Sequence, residues 1–293
     1  MRKVLLNGLL LLIGLYSCQK EIEYDGPGRE ARLVVNAVVT LDSTFVVRLE
    51  RTAFFLSEET PQDRYITSGA TIIVTNLTTG EVFYESSPVV ENRYEFPFIV
   101  TPNTSYRIDV SHPDYPQVSS QITTVPHVIL QSVDTIPAIQ DNQMVMEGNF
   151  KWQDPPGKQY YMIKIIQDYQ DINGQYVNNV PLISTDAAID NTNNQNILGN
   201  IDYSSYLLFT DETFDSQNKE LKVRFYYSFY PDPSTTIDYY CHLITLSEEA
   251  YYYYRSLNAS LNAGFLSEPV KVFSNIANGY GVFGSKNHSV VPL

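Results

Sequence analysis

The run Leu33-Val34-Val35-Asn36-Ala37-Val38-Val39 is followed, after a short break, by Phe45-Val46-Val47-Arg48-Leu49-Glu50. An extended chain turns alternate side chains to opposite faces, so Leu33, Val35, Ala37 and Val39 share one face, as do Phe45, Val47 and Leu49. The same period returns downstream in Ala70, Ile72 and Val74, and in Tyr106, Ile108 and Val110. Thr78-Thr79-Gly80 turns the chain into Glu81-Val82-Phe83-Tyr84, a hairpin pattern. Tyr94 and Phe96 add a further strand, and His112-Pro113-Asp114-Tyr115-Pro116 makes a turn before a last strand from Val118 to Val125. About seven short strands with regular turn signals predict a mainly β protein whose residues 31–125 form an immunoglobulin-like β-sandwich.

Residues 126–293 predict a larger β-rich domain with one helix. Pro126 to Asn142 reads as a packed connection, Met144 to Trp152 as a strand ended by Asp154-Pro155-Pro156-Gly157, and Tyr160 to Gln167 as the next strand. Asp171-Ile172-Asn173-Gly174 reads as a hairpin turn, because Asn-Gly tolerates the positive φ such turns need. The Asn- and Asp-rich stretch Asp186 to Asn200 reads as a long surface loop. Leu221, Val223, Phe225, Tyr227 and Phe229 alternate as a strand, with Ile237 to Leu246 as its neighbour. The period then changes. Ser247-Glu248-Glu249 can cap and charge a helix start, and Ala250, Tyr251, Tyr254, Leu257 and Leu261 follow at helical spacing, placing a helix near 247–262 with Gly264 to stop it. Pro269 to Ser274 and Tyr280 to Phe283 read as strands.

Upstream of the alternation stands a different kind of segment. Arg2 and Lys3 precede Val4 to Leu15, an apolar run too short to span a bilayer as a helix, which takes about 20 residues, but long enough for a secretory signal. The segment ends Leu15-Tyr16-Ser17-Cys18. Residues 1–17 therefore read as a lipoprotein signal peptide, with Cys18 exposed by cleavage and lipidated. Two or three acyl chains anchor a protein stably. Residues 18–30 read as an acidic tether, broken by Gly26-Pro27-Gly28.

The chain carries 19 Lys and Arg against 33 Asp and Glu, a formal net charge of −14. That balance argues against nucleic acid, which demands basic patches, and against electrostatic docking on anionic lipid. With Cys18 lipidated, Cys241 has no partner for a disulfide and reads as a buried, inert thiol.

Motifs for chemistry are missing from the sequence. His112, His127, His242 and His288 fall in no zinc-site spacing. There is no G-x-S-x-G elbow, no P-loop and no dinucleotide fingerprint. Asp168-Tyr169-Gln170-Asp171 fails the calcium-loop pattern because Tyr169 stands at a ligand position. Asp186, Asp190, Asp211, Glu212 and Asp215 are the acids that could pair, although a solvated loop accounts for them as well. Tyr226-Tyr227, Tyr239-Tyr240 and Tyr251-Tyr252-Tyr253-Tyr254 could stack on sugars or hold a protein partner, against a plainer reading as packing. No catalytic residue, metal or cofactor is predicted, and the ligand is open.

The ends of the chain together resemble a known family. Cys18-Gln19-Lys20-Glu21-Ile22, then Leu33-Val34-Val35-Asn36-Ala37, Ser68-Gly69-Ala70-Thr71-Ile72 and the tail Ser267-Glu268-Pro269-Val270-Lys271-Val272-Phe273-Ser274-Asn275-Ile276 resemble a Bacteroidetes surface lipoprotein family known as a domain of unknown function (number 4249). The tail runs on through Ala277-Asn278-Gly279, where a more glycine-rich turn is common in the family. The resemblance implies that Gln19, Lys20 and Glu21 belong to an export signal for the outer face of the outer membrane. It also implies an association with TonB-dependent receptors. The expected function is thus a non-enzymatic, lipid-anchored accessory or binding partner of such a receptor in nutrient uptake. A surface hydrolase of glycan or peptide, and an adhesin or envelope-structure protein, are the alternatives.

Overall fold

The alternation from Leu33 onward becomes β1 (Leu33–Thr40), whose residues are buried at every second position. In the computed structural model, the described residues are 30–54, 57–140, 143–171, 174–190, 203–226, 236–263 and 270–293. Cys18, Gln19, Lys20, Glu21 and the whole leader and tether up to residue 29 lie outside them, as do Gly264, Tyr227 and Phe229.

Six more strands follow in the first part: β2 (Thr44–Arg51), β3 (Thr71–Asn76), β4 (Val82–Glu85), β5 (Arg93–Ile99), β6 (Ser105–His112) and β7 (Tyr115–Thr123). Nine more lie among the described residues: β8 (Leu130–Gln140), β9 (Gln143–Gln153), β10 (Tyr160–Asp171), β11 (Gly174–Asn179), β12 (Leu182–Ile183), β13 (Leu207–Thr210), β14 (Asn218–Phe225), β15 (Thr236–Leu246) and β16 (Tyr280–Pro292). Among the described residues one α-helix, α1 (Glu248–Leu261), stands between the last two.

These strands form one eight-stranded sheet, in the order β11-β10-β15-β16-β1-β2-β5 with β13 also on β10, and two four-stranded sheets, β4-β3-β6-β7 and β12-β14-β9-β8. Each small sheet packs against its own part of the long one. The first seven strands divide as β1-β2-β5 against β4-β3-β6-β7, the strand order of an immunoglobulin-like sandwich. A tyrosine near the start of the sixth strand accompanies that order: the Tyr106 hydroxyl accepts from the Thr101 backbone N–H at 3.4 Å, as the tyrosine corner of such sandwiches does. The second part repeats the pattern, with β8-β9-β14-β12 against β11-β10-β15-β16.

What unites the two sandwiches is β16. It pairs antiparallel with β15 and parallel with β1, Val34 lying opposite Tyr280 and Thr40 opposite Lys286. The final strand thus continues to Pro292, well past the expected Phe283. Two cores lie to either side. Leu33 to Val125, joined by Ile276 and Phe283, make the first; Phe45 at its centre meets Phe96, Tyr106 and Phe283 at ring distances of 5.6, 5.9 and 5.8 Å. Val128 to Leu243, around Trp152, Tyr161 and Phe209, make the second. On the opposite face of the long sheet, α1 sets Ala250 and Tyr251 against Tyr160, Met162, Ile244 and Leu246. Residues 31–293 belong to one compact unit. No helix among the described residues is long and apolar enough to cross a membrane.

Two readings are corrected. The connection expected at Pro126 to Asn142 contains β8, an edge strand ten residues deep in its pairing with β9; Pro137 obscured it, and an edge strand accepts proline because one side of its backbone needs no partner. The strand expected at Pro269 to Ser274 is absent from residues 270–274, which run as irregular chain. The Phe273 N–H donates to Ser256 Oγ on α1 at 2.8 Å, so its backbone bond goes to a side chain and not to a ladder.

Candidate functional site

The loop after β9 and the segment between β13 and β14 meet at one end of the second sandwich, and three carboxylates meet there with them. Asp154, Asp211 and Asp215 present oxygens that all lie within 4.8 Å of one another. Asp154 and Asp211 are buried, each 1 % exposed. A buried charge is tolerable only when it is hydrogen-bonded, and these are. Asp154 accepts from the Tyr161 hydroxyl and from the Ser216 N–H at 2.9 Å. Asp211 accepts from the Gln159 N–H at 2.7 Å. Asp215 accepts from the Gly157 N–H at 3.1 Å and the Ser216 hydroxyl at 3.0 Å. Burial holds the Asp154 and Asp211 carboxyls above the usual range, with repulsion from neighbouring carboxylates adding to it. Oxygens of this kind suit a hard cation. The same oxygens also tie two loops together through protein donors alone.

A second gathering lies beside α1. A cleft of about 270 Å³ is lined by Tyr160, Tyr251, Tyr252, Lys158, Asp190 and Arg255 among others. Tyr160 and Tyr251 sit 4.9 Å apart by ring centre, and Lys158 lies 5.2 Å over the Tyr160 ring, within cation–π range. Arg255 pairs with Asp190 at 2.6 Å, and Lys158 with Glu212 at 3.6 Å. The Tyr160 hydroxyl donates to Glu248 at 2.8 Å, and burial together with that carboxylate pushes its pKa upward. A neighbouring hollow of about 400 Å³ shares Lys158 and Tyr160 and adds Ser247, Glu248 and Glu249. Flat aromatic faces among paired charges suit a polar ligand with stacking surfaces.

Of the acids singled out in the sequence, Asp211 and Asp215 do come together, with Asp154, a residue that reads from sequence only as the end of a strand. Asp186, Asp190 and Glu212 stay apart, each paired with a cation; Asp186 holds Lys219 at 2.9 Å. The start of the expected surface loop is accordingly packed, since Ile189 is buried and bridges to Phe209; residues 191–200 lie outside the described ones. At the expected hairpin, Asp171 of β10 pairs with Gly174 of β11, while Ile172 and Asn173 lie outside the described residues. His112 is structural: its ring lies 4.8 Å from Tyr115 and its Nδ1 accepts from the Asp114 N–H. His127 contacts Asp42 at 3.5 Å. Cys241 is fully buried, and burial pushes its thiol up to about 12, which leaves it inert. Tyr239 is buried and Tyr240 half-buried, alternating as a strand requires.

Residues 19–290 match the family model described as "Domain of unknown function (DUF4249)". None of the curated proteins matches the chain. Among solved structures, a two fibronectin type-III domain segment from chicken tenascin is 11 % identical, with a TM-score of 0.24, over 74 % of this chain and 91 % of that one.

Proposed function

Because the chain belongs to the DUF4249 family, which the match over residues 19–290 establishes, we propose that it is a lipid-anchored protein of the outer membrane, facing the cell exterior. In this reading it serves a TonB-dependent receptor as a non-enzymatic accessory in nutrient uptake. The observation that carries the proposal is Leu15-Tyr16-Ser17-Cys18 at the end of a short apolar leader, followed by Gln19-Lys20-Glu21 and an acidic tether. Cys18 is the lipidation site, and Gln19, Lys20 and Glu21 form the export signal. The tether's residues 19–30 reach roughly 40 Å when extended, at about 3.3–3.6 Å each. Two sandwiches carried on such a lead can lie over a neighbouring membrane protein, and the tyrosine-lined cleft beside α1 gives them a surface for ligand or receptor.

The test is purification of the tagged full-length protein from detergent-solubilised outer membranes of its own organism. A TonB-dependent receptor should co-purify in stoichiometric amount. Repeated preparations without one would end the partnership reading. Cys18→Ala should in parallel release the protein into the soluble fraction and abolish incorporation of labelled fatty acid.

A further inference from the structure

The outer face of the long sheet carries two lysines and two histidines that make no ion pair among the described residues. β10, β15 and β16 lie side by side, with Lys164 opposite His242 and Ile244 opposite His288. Alternation then sets Lys164, His242, His288 and Lys286 on one face, the face that α1 also covers further along, where Gly284 lies under Ala250. The His242 and His288 rings stand 6.0 Å apart, edge to face. Lys164 acts electrostatically on His242, Lys286 and His288, and Lys286 and His242 act on His288 as well. Among the described residues none of the four side chains makes an ion pair, although Lys151, Lys158, Lys219 and Lys222 all do.

Like charges gathered on a half-buried face repel one another, so such a cluster is costly unless something offsets it. The charges that face it can be named strand by strand. On β10 and β15 the nearest carboxylates, Asp168 and Asp238, stand opposite one another four residues away. On α1, Glu248 is engaged by Tyr160. In the turn after β1, Asp42 is engaged by His127. Lys164, His242 and Lys286 are half-buried and His288 is exposed, so the group is open to solvent at one side.

We propose that Lys164, His242, Lys286 and His288 form a binding site for a phosphate-type oxyanion on the outer face of β10, β15 and β16. Two ammonium groups and two imidazoles supply charge-assisted donors to its oxygens. The ligand is a free or solute-borne phosphate and not a lipid surface, because the acidic remainder of the molecule would be repelled by an anionic bilayer. Burial and the neighbouring cations depress both imidazoles; although His288 is exposed, the protein around it and the charges of Lys286, His242 and Lys164 hold it down to about 4. Both rings are therefore neutral donors or acceptors at pH 7 and gain a proton as an anion binds at lower pH, so binding tightens as pH falls toward 5.

The measurement is an NMR titration of the four histidine ring protons from pH 3.5 to 8, on the intact mature protein, with inorganic phosphate or with sodium chloride at matched ionic strength. Phosphate should raise the His242 and His288 pKa values by about one unit, a tenfold coupling. Lys164→Gln/Lys286→Gln should abolish the shift while the spectrum stays folded; His288→Gln, at the exposed position, gives a second variant that should weaken phosphate binding severalfold. Equal shifts in chloride and phosphate, a shift that survives in the lysine variant, or binding to phosphatidic acid vesicles without binding to free phosphate would overturn the proposal.

Discussion

Gly281 shows how much one residue decides. Its φ is +102°, and a Cβ there would lie 2.1 Å from the Val35 carbonyl oxygen, backbone against backbone. Gly80, with φ +81°, has nothing within 4 Å of the same position. Both glycines sit where L-residues are strained, which alone costs roughly 1–2 kcal/mol. Only Gly281 adds a collision that cannot relax without parting β16 from β1. Gly80→Ala should therefore cost about 1 kcal/mol in urea unfolding, whereas Gly281→Ala should cost about 4 kcal/mol or prevent folding. Equal losses in the two variants would refute this account of the β1–β16 contact. Asp154 illustrates the opposite case, a residue whose partners are remote in sequence. Followed by two prolines, it reads as a strand stop, and the Ser216 N–H and Tyr161 hydroxyl that satisfy it carry no local signal. Asp211 and Asp215 were visible as acids, but their meeting with Asp154 depends on two loops being brought together by the sandwich.

At the scale of elements, one side chain both caps α1 and bonds the sheet beneath it. Ser247 Oγ accepts from the Ala250 N–H at 3.4 Å, capping the helix, and from the Ser285 N–H of β16 at 3.1 Å. Ser247→Ala removes a cap worth about 1 kcal/mol and leaves a buried strand N–H without a partner, at about 1–3 kcal/mol. A loss of about 2 kcal/mol is expected in chemical denaturation, with an unchanged denaturant slope. A loss below about 0.5 kcal/mol would show that water replaces both bonds. The helix was legible in sequence because cap, charge and spacing agree within fifteen residues. The strands of the first sandwich were legible for the same reason, as period 2 is local. β8 was not, because Pro137 and the exposed Ile136 and Ile139 break its alternation. The second sandwich was read as β-rich without its order, since strand order is a matter of non-local pairing.

For the molecule as a whole, the long sheet makes the two sandwiches share their strongest element. β16 contributes Phe283 to the first core, and Val291 packs against the second. Loss of order in either half would expose one side of a strand that the other half needs. Scanning calorimetry of the protein should accordingly give one transition, with calorimetric and van't Hoff enthalpies in agreement. Two resolved transitions, or one half surviving proteolysis alone, would show that the halves stand independently. The parallel pairing of β1 with β16 also sets a timetable. Val34 must wait for Tyr280, nearly the whole chain later, and contacts so distant in sequence form slowly. While the C-terminal stretch is still being made, neither sandwich has its full complement of strands. A fold whose first and last strands lie side by side closes only when nearly all of the chain is present, so its two ends act as a single latch.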